Sequence, residues 1–130
     1  MSQFFIYVIQ LCDSVRQKPG WDGRNPNQHR PECYYVGSSA HKPECRFEQH
    51  RAPADESFLC QCHVIPGEPV RQNQVGKWPE ALRLEPRRYE HWTGRISSRP
   101  RAEQLEARIA RRLMDEGYGV WTDRSFQRTD

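Results

Sequence analysis

Residues 4–11, Phe4-Phe5-Ile6-Tyr7-Val8-Ile9-Gln10-Leu11, form the most apolar stretch of the chain and are rich in aromatic and β-branched side chains. Strand alternation places Phe5, Tyr7, Ile9 and Leu11 on one face and Phe4, Ile6 and Val8 on the other. Because both faces are apolar, the stretch predicts a central β-strand.

A second strand is predicted at about 33–38, where Tyr34-Tyr35-Val36-Gly37 leads into Ser38-Ser39. Tyr34 and Tyr35 must point to opposite faces, so only Tyr35 can share a cleft with Tyr7. Between the strands, residues 13–32 carry a series of turn signals, which are Pro19-Gly20, Asp22-Gly23, Asn25-Pro26 and Pro31. This composition predicts an exposed loop inserted within a hairpin. Pro43 suits the first turn of a helix that continues to about Arg51.

The second half contains the clearest helix. Ser97 or Ser98 can cap its start, Pro100 suits its first turn, and Gly117 follows its end. Its apolar residues recur at helical spacing, namely Ala102, Leu105, Ile109, Ala110 and Leu113. A short edge strand is expected at Tyr118 to Trp121, and a short turn or strand near Ala81–Leu84. Residues 52–80 form a second predicted loop insertion, in which 58–65 could be a strand.

The composition limits the class of protein. At 130 residues, with 35% hydrophobic content and a mean hydropathy of -1.00, we expect one domain with a small core. A net charge of +3 tolerates a polyanionic partner without requiring one. We expect no signal peptide and no membrane span. Five cysteines at uneven spacing indicate reduced thiols and a cytoplasmic location.

Glu106 is an acid in an unexpected position. At about 100° per residue it falls inside the apolar stripe of the last helix. A carboxylate that faces a core needs a partner. Two explanations stay open: Glu106 borders a cleft where a metal or another positive group meets it, or it forms a buried ion pair with an arginine such as Arg46.

Taken together, these motifs resemble the GIY-YIG nuclease family. Phe5-Ile6-Tyr7 matches the first motif and Tyr35-Val36-Gly37 the second. The segment 43–50, with Arg46 and His50 four residues apart, is similar to the helix that follows. Residues 101–110 and 117–121 resemble the metal-binding helix and its end. The chain departs from the family at Phe5, where a glycine is usual, in its long connection between motifs, and in lacking a terminal asparagine.

The resemblance implies an α+β domain spanning 1–130, with a central three-stranded antiparallel sheet flanked by helices. It also implies an endonuclease that hydrolyses DNA phosphodiester bonds with Mg²⁺ or Mn²⁺. Glu106 would bind the metal, Arg46 would clamp the scissile phosphate, and Tyr7 would accept the proton of the attacking water directly or through His50. Tyr35, also catalytic, would hold the nucleophile or the phosphate in place, and Gly37 would leave room for the backbone to approach. The expected substrate-binding residues are Gly37, Ser38, Arg108 and Arg112. Glu106, Arg46 and both phenols should then border one cleft, with Tyr7 and Glu106 on the same side of the sheet.

Two other classes of function stay open. Cys60, Cys62 and His63 could supply three zinc ligands within four residues, with Cys33, Cys45 or His41 as a fourth, although Cys-x-Cys is not the usual spacing of a zinc site. The chain could also be a non-catalytic nucleic-acid or protein-binding module on a nuclease-like fold. Its basic second half and its tryptophans Trp78, Trp92 and Trp121 would then contact the phosphate backbone and the bases.

Overall fold

The two tyrosine-bearing strands pair with each other along their whole length. In the computed structural model, which describes residues 3–52, 76–90 and 96–123, β1 spans Phe5–Leu11 and β2 spans Cys33–Ser39. They run antiparallel, with Phe5 opposite Ser39 and Leu11 opposite Cys33. Both strands are almost entirely buried, as the apolar character of both faces of β1 predicts.

Two further strands complete an α+β fold with a mixed four-stranded sheet. β3, Ala81–Leu84, pairs antiparallel with β1, and β4, Gly119–Thr122, pairs parallel with β2. The sheet order is therefore β3-β1-β2-β4. The expected sheet of three antiparallel strands is not what the structure has. β3, β1 and β2 are antiparallel neighbours, but β4 makes the sheet mixed, because the helix before it returns the chain to the end from which β2 starts.

The two faces of this sheet carry different layers. The tyrosine face, which includes Tyr7 and Tyr35, is covered by α2, Pro43–Arg51. The opposite face, which includes Tyr34 and Ser38, is covered by α3, Arg99–Asp115. The prediction that Tyr34 and Tyr35 diverge is therefore confirmed.

The ends of α3 follow the sequence signals. Ser98, rather than Ser97, caps the helix, and its hydroxyl accepts a hydrogen bond from the Arg101 backbone N–H. Gly117 ends the helix with a φ of +96°, a left-handed conformation that favours glycine. The predicted apolar stripe is buried, with Glu106 inside it.

The segment 13–32 connects β1 to β2, and most of its residues are exposed, as predicted, but it is more than a loop. It contains a 3₁₀ turn at Asp13–Gln17 and a short helix, α1, at Trp21–Arg24. Trp21 is fully buried and stacks on Trp121 with ring centroids 5.8 Å apart. The Asn25 side chain donates to the Val120 carbonyl at 3.1 Å and accepts from the Val120 N–H at 2.8 Å. These contacts cover the outer edge of β4.

Part of the second predicted insertion, residues 53–75, lies outside the described residues. The proposed strand at 58–65 and the zinc ligands Cys60, Cys62 and His63 fall there, and Trp92 falls in a second such range. Within the described part of the chain, no helix is both long and apolar enough to cross a bilayer.

Candidate active site

Tyr7, Tyr35 and His50 meet on the tyrosine face. The cross-strand register sets Tyr7 opposite Gly37 and Ile9 opposite Tyr35, while α2 brings His50 down from its last turn. Tyr7 Oη and His50 Nε2 are 3.2 Å apart, within hydrogen-bonding distance. The Tyr35 ring meets the His50 ring edge-on, with centroids 5.2 Å apart. The sequence motifs therefore converge into one buried cluster.

Gly37 makes this cluster sterically feasible. A Cβ at position 37 would lie 2.5 Å from the Tyr7 hydroxyl oxygen and 2.6 Å from Cζ of the same ring. Real Cβ atoms do not approach other atoms so closely, so a side chain here would displace Tyr7. Gly37 is predicted to leave room beside the backbone, and in the structure the Tyr7 ring fills that room.

Asp123 and Lys77 join the cluster without having been predicted. Tyr35 Oη donates to Asp123 Oδ2 at 2.7 Å, and Lys77 Nζ donates to both Asp123 oxygens at 2.6 Å. Extending the alternation of β4 would have placed Asp123 on the same face as Trp121 and Tyr35. The pairing with Lys77 depends on a turn that no local pattern reveals.

Burial dominates the electrostatics of both phenols. It raises the pKa of Tyr7 above its ordinary value, although the Arg46 guanidinium acts in the opposite direction. Burial also raises the pKa of Tyr35, reinforced by the negative charge of Asp123. Burial alone would raise the pKa of Asp123, but the hydrogen bonds from Lys77 and Tyr35 outweigh it and lower that pKa. The resting site therefore holds two neutral phenols beside an ionised carboxylate.

Glu106 is 2% exposed and is held by two hydroxyl groups. Ser38 Oγ donates to its Oε1 at 2.7 Å, and Thr122 Oγ1 donates to its Oε2 at 2.5 Å. These two hydrogen bonds offset much of the free-energy cost of burying this carboxylate. Ser38, predicted as a substrate contact, is in the structure a support for Glu106.

Glu106 and Tyr7 approach β2 from opposite faces. Ser38 and Thr122 point to the face covered by α3, whereas Tyr7 lies over Gly37 on the tyrosine face. The expectation that the acid and the phenols lie on one side of the sheet is therefore wrong. The two groups come together at one end of β2, because β4 stops opposite Val36 and leaves 37–39 beyond it. The Glu106 charge accordingly contributes to the raised pKa of both Tyr7 and Tyr35.

Arg46 lies near this cluster on α2. Its Nη1 donates to the fully buried Gln49 at 2.6 Å, and its buried Nε has no hydrogen-bond partner among the described residues. Its positive charge acts to lower the pKa of Tyr7, against the larger effect of burial. A guanidinium with a buried, unsatisfied donor is suited to an anionic ligand.

Arg108 and Arg112 lie on the exposed side of α3, well away in angle from Glu106. Arg112 is 3.9 Å from Glu116 in an ion pair whose arginine side chain is 82% exposed. Trp78 and Trp121 pack within the protein, with ring centroids 6.0 Å apart, rather than presenting free faces to bases.

The oxygen donors around Glu106 fit a hard divalent cation. Glu106, Ser38 and Thr122 are the residues that would hold Mg²⁺ or Mn²⁺, ions that accept carboxylate and hydroxyl oxygens and keep water ligands. Across 3–52, 76–90 and 96–123, no three histidine, cysteine or acidic side chains converge on a ready-made metal site. A cation held through a single carboxylate does not require such a cluster.

Comparisons with known proteins identify no relative of this chain. No protein-family model matches the chain, and neither a curated protein nor a solved structure matches it. The interpretation of the site therefore depends on the residues of this chain alone.

Proposed function

We propose that the chain is a metal-dependent endonuclease that hydrolyses DNA phosphodiester bonds, on a fold of the GIY-YIG type. The main support is the hydrogen bond between Tyr7 and His50 above the bare backbone of Gly37. Tyr35 and Glu106 border the same end of β2, from the tyrosine face and the α3 face. The substrate phosphate would lie across this end of the sheet, within reach of both faces.

Tyr7 and His50 would form the proton route for this reaction. Because burial keeps Tyr7 protonated, it cannot take a proton from water as a free phenolate at neutral pH. Instead, Tyr7 Oη would accept the proton of the attacking water while passing its own proton to His50 Nε2. The ionised Asp123 accepts a hydrogen bond from the Tyr35 hydroxyl and so fixes the Tyr35 ring beside Tyr7.

Charge stabilisation would come from Arg46 and from the metal. The planar guanidinium would donate to the non-bridging phosphate oxygens, where negative charge grows in the transition state. When bound at Glu106, Mg²⁺ or Mn²⁺ would supply Lewis-acid polarisation of the phosphate. Glu106 is kept in place for this by Ser38 and Thr122.

A second candidate function is non-catalytic binding of nucleic acid on a nuclease-like fold. It is favoured by the placement of Tyr7 and Glu106 on opposite faces and by the burial of both phenols, at 1% and 2% exposure for Tyr7 and Tyr35. A binding module needs no access to these groups, whereas an enzyme needs a substrate to reach them.

Nicking of supercoiled plasmid and cleavage of branched DNA, each with Mg²⁺ or Mn²⁺, distinguish the two functions. We expect wild-type protein to cleave and Glu106→Gln to lose cleavage by at least about 100-fold, a typical cost of losing a key transition-state contact. Glu103→Gln, which removes a carboxylate one turn earlier on the same helix, serves as the matched control and should cleave. Circular dichroism verifies that each variant folds.

Binding of the same DNA without metal completes the test. If Glu106→Gln binds DNA as the wild type does but does not cleave it, the enzyme assignment is supported. Wild-type protein that binds but cleaves no substrate with either metal would leave only the binding function. Full cleavage by folded Glu106→Gln would remove this carboxylate from the reaction.

A further inference from the structure

A pocket of about 370 Å³ lies between the segment 13–32 and the C-terminal end of α3. Residues 23–29 supply one wall and residues 111–117 the other. Its polar and charged lining groups are Arg24, Asn27, His29, Arg111 and Asp115. Two guanidiniums and an imidazole thus face a single carboxylate, which favours an anionic ligand.

Arg24 is held in place by two contacts. Its guanidinium lies over the Trp121 ring, 3.8 Å from the centroid, and its Nη1 donates to the Thr122 carbonyl at 2.8 Å. These contacts orient the planar fork and leave further N–H donors on an exposed side chain. Because the fold already orders Arg24, this side chain loses less conformational entropy when a ligand binds.

The carbonyl groups that follow the C-terminal end of α3 are already hydrogen-bonded. Backbone carbonyls exposed at a helix C-terminus ordinarily repel negative charge. In this chain the Gly117 carbonyl accepts from the backbone N–H groups of His29 and Arg30, and the Glu116 carbonyl accepts from Arg30 Nε at 2.8 Å. The segment 13–32 thus occupies two carbonyl acceptors beside this wall of the pocket, so they do not face an anion as free acceptors.

The pocket adjoins the candidate active site through Thr122. The Thr122 carbonyl accepts from Arg24, while the Thr122 hydroxyl donates to Glu106. Arg111 lies five residues after Glu106 on α3, about 7.5 Å along the helix axis at ~1.5 Å per residue and about 140° around it at ~100° per residue. It is therefore on the same exposed side of α3 as Arg108 and Arg112. The contacts of Thr122 with both Arg24 and Glu106 place the Arg24 side of the pocket beside the candidate active site. Because successive phosphates of one DNA strand advance about 3.4 Å along the duplex axis, we expect neighbouring phosphates to occupy the two sites.

We propose that this pocket binds a backbone phosphate of DNA close to the phosphate that is cleaved, a role that rests on the proposed function. Arg24 and Arg111 are the phosphate donors, with Asn27 and His29 beside them. The segment 13–32 is therefore a substrate-binding element, and Arg111 contributes through a side chain on the pocket wall.

Fluorescence anisotropy of a labelled DNA duplex, without divalent metal and across a salt series, tests the proposal. Arg24→Gln and Arg111→Gln should each weaken binding several-fold at low salt and reduce the slope of log K against log salt by about 1. Arg101→Gln, which removes one exposed positive charge about 15 Å earlier on the same helix, is the control for net charge and should leave the slope near that of wild type.

A gain-of-binding variant complements these losses. Asp115→Asn removes the only carboxylate of the described lining and should tighten binding a few-fold, whereas Glu48→Gln on α2 should not. Thermal unfolding checks the fold of Arg24→Gln, since Arg24 also hydrogen-bonds to β4. Arg111→Gln tests the pocket with a residue for which the described part of the structure gives no such contact with β4. If Arg111→Gln and Arg101→Gln show the same affinity and slope, the pocket is not a phosphate site.

Failure of this proposal is separable from failure of the proposed function. Binding without metal reports on the pocket alone, and cleavage by Glu106→Gln reports on catalysis alone. Unchanged binding by the pocket variants, together with metal-dependent cleavage by wild type, would overturn the pocket and leave the nuclease. Weakened binding without any cleavage would retain the pocket in a binding module.

Discussion

At the scale of single residues, Gly37 shows how closely the site is packed. We expect Gly37→Ala to lower the free energy of unfolding by about 1–3 kcal/mol, because its Cβ would overlap the Tyr7 ring. The displaced Tyr7 should also lose its hydrogen bond to His50 and, with it, cleavage. Urea unfolding measures the first effect and plasmid nicking the second.

Gly23→Ala is the matched control, since a Cβ there would meet no atom within 4 Å. It should leave the free energy of unfolding within about 1 kcal/mol of wild type. Equal stability of the two alanine variants would mean that Tyr7 does not pack against position 37.

The phenols predict an alkaline limit to stability. Tyr7 and Tyr35 have folded-state pKa values above the unfolded value of about 10. A raised pKa contributes stability that is complete below the unfolded pKa and is lost as the pH rises beyond it. The free energy of unfolding should therefore fall above about pH 10 in the wild type, and less steeply in Tyr35→Phe.

Urea unfolding at a series of pH values from about 8 to about 11 measures this dependence. Comparing the slopes of unfolding free energy against pH removes any pH-independent loss of stability caused by deleting the hydroxyl. A slope in Tyr35→Phe as steep as in the wild type would show that Tyr35 ionises normally in the folded protein.

At the scale of elements, β4 is an edge strand of the described sheet, where it pairs with β2, and the segment 13–32 covers its other edge. The Asn25 amide satisfies both backbone groups of Val120, as a neighbouring strand would. Asn25→Ala should therefore cost about 1–3 kcal/mol of unfolding free energy, because it leaves buried backbone groups unsatisfied.

Hydrogen exchange at the Val120 amide should accelerate in Asn25→Ala, since its acceptor is removed. Asn27→Ala, two residues away and exposed, should change the unfolding free energy by no more than about 0.5 kcal/mol. Unchanged exchange at Val120 would mean that water or another group replaces Asn25 without loss.

The elements themselves were largely readable from local patterns. α2 has the predicted bounds, β1 and β2 differ from prediction by about one residue at an end, and the last helix begins at the second of two candidate caps. The turn-rich composition of 13–32 correctly indicates changes of chain direction and a largely exposed segment, but it does not indicate that Val15, Trp21 and Asn25 are buried. Trp21 was the overlooked signal, as an indole in a turn-rich segment needs a surface to pack against.

At the scale of the whole molecule, the sheet separates α2 from α3, and the candidate chemistry gathers at its end. Tyr7 and Tyr35 reach that end from one face and Glu106 from the other, while Arg24 adjoins it through β4. A substrate that contacts all of them must cross the end of β2, where β4 has stopped. An extended polyanion such as a DNA strand meets this requirement better than a compact small molecule does.

The sequence by itself determined which residues share a face within one element. Alternation separated Tyr34 from Tyr35, and helical periodicity placed Glu106 among buried residues, because both are properties of local backbone geometry. Only the tertiary structure decided that Glu106 and Tyr7 lie on opposite faces, that Asp123 holds Tyr35, and that Arg24 and Arg111 line one pocket. These depend on strand order, on the direction of β4 and on side-chain contacts across up to 98 positions of chain, which no local pattern encodes.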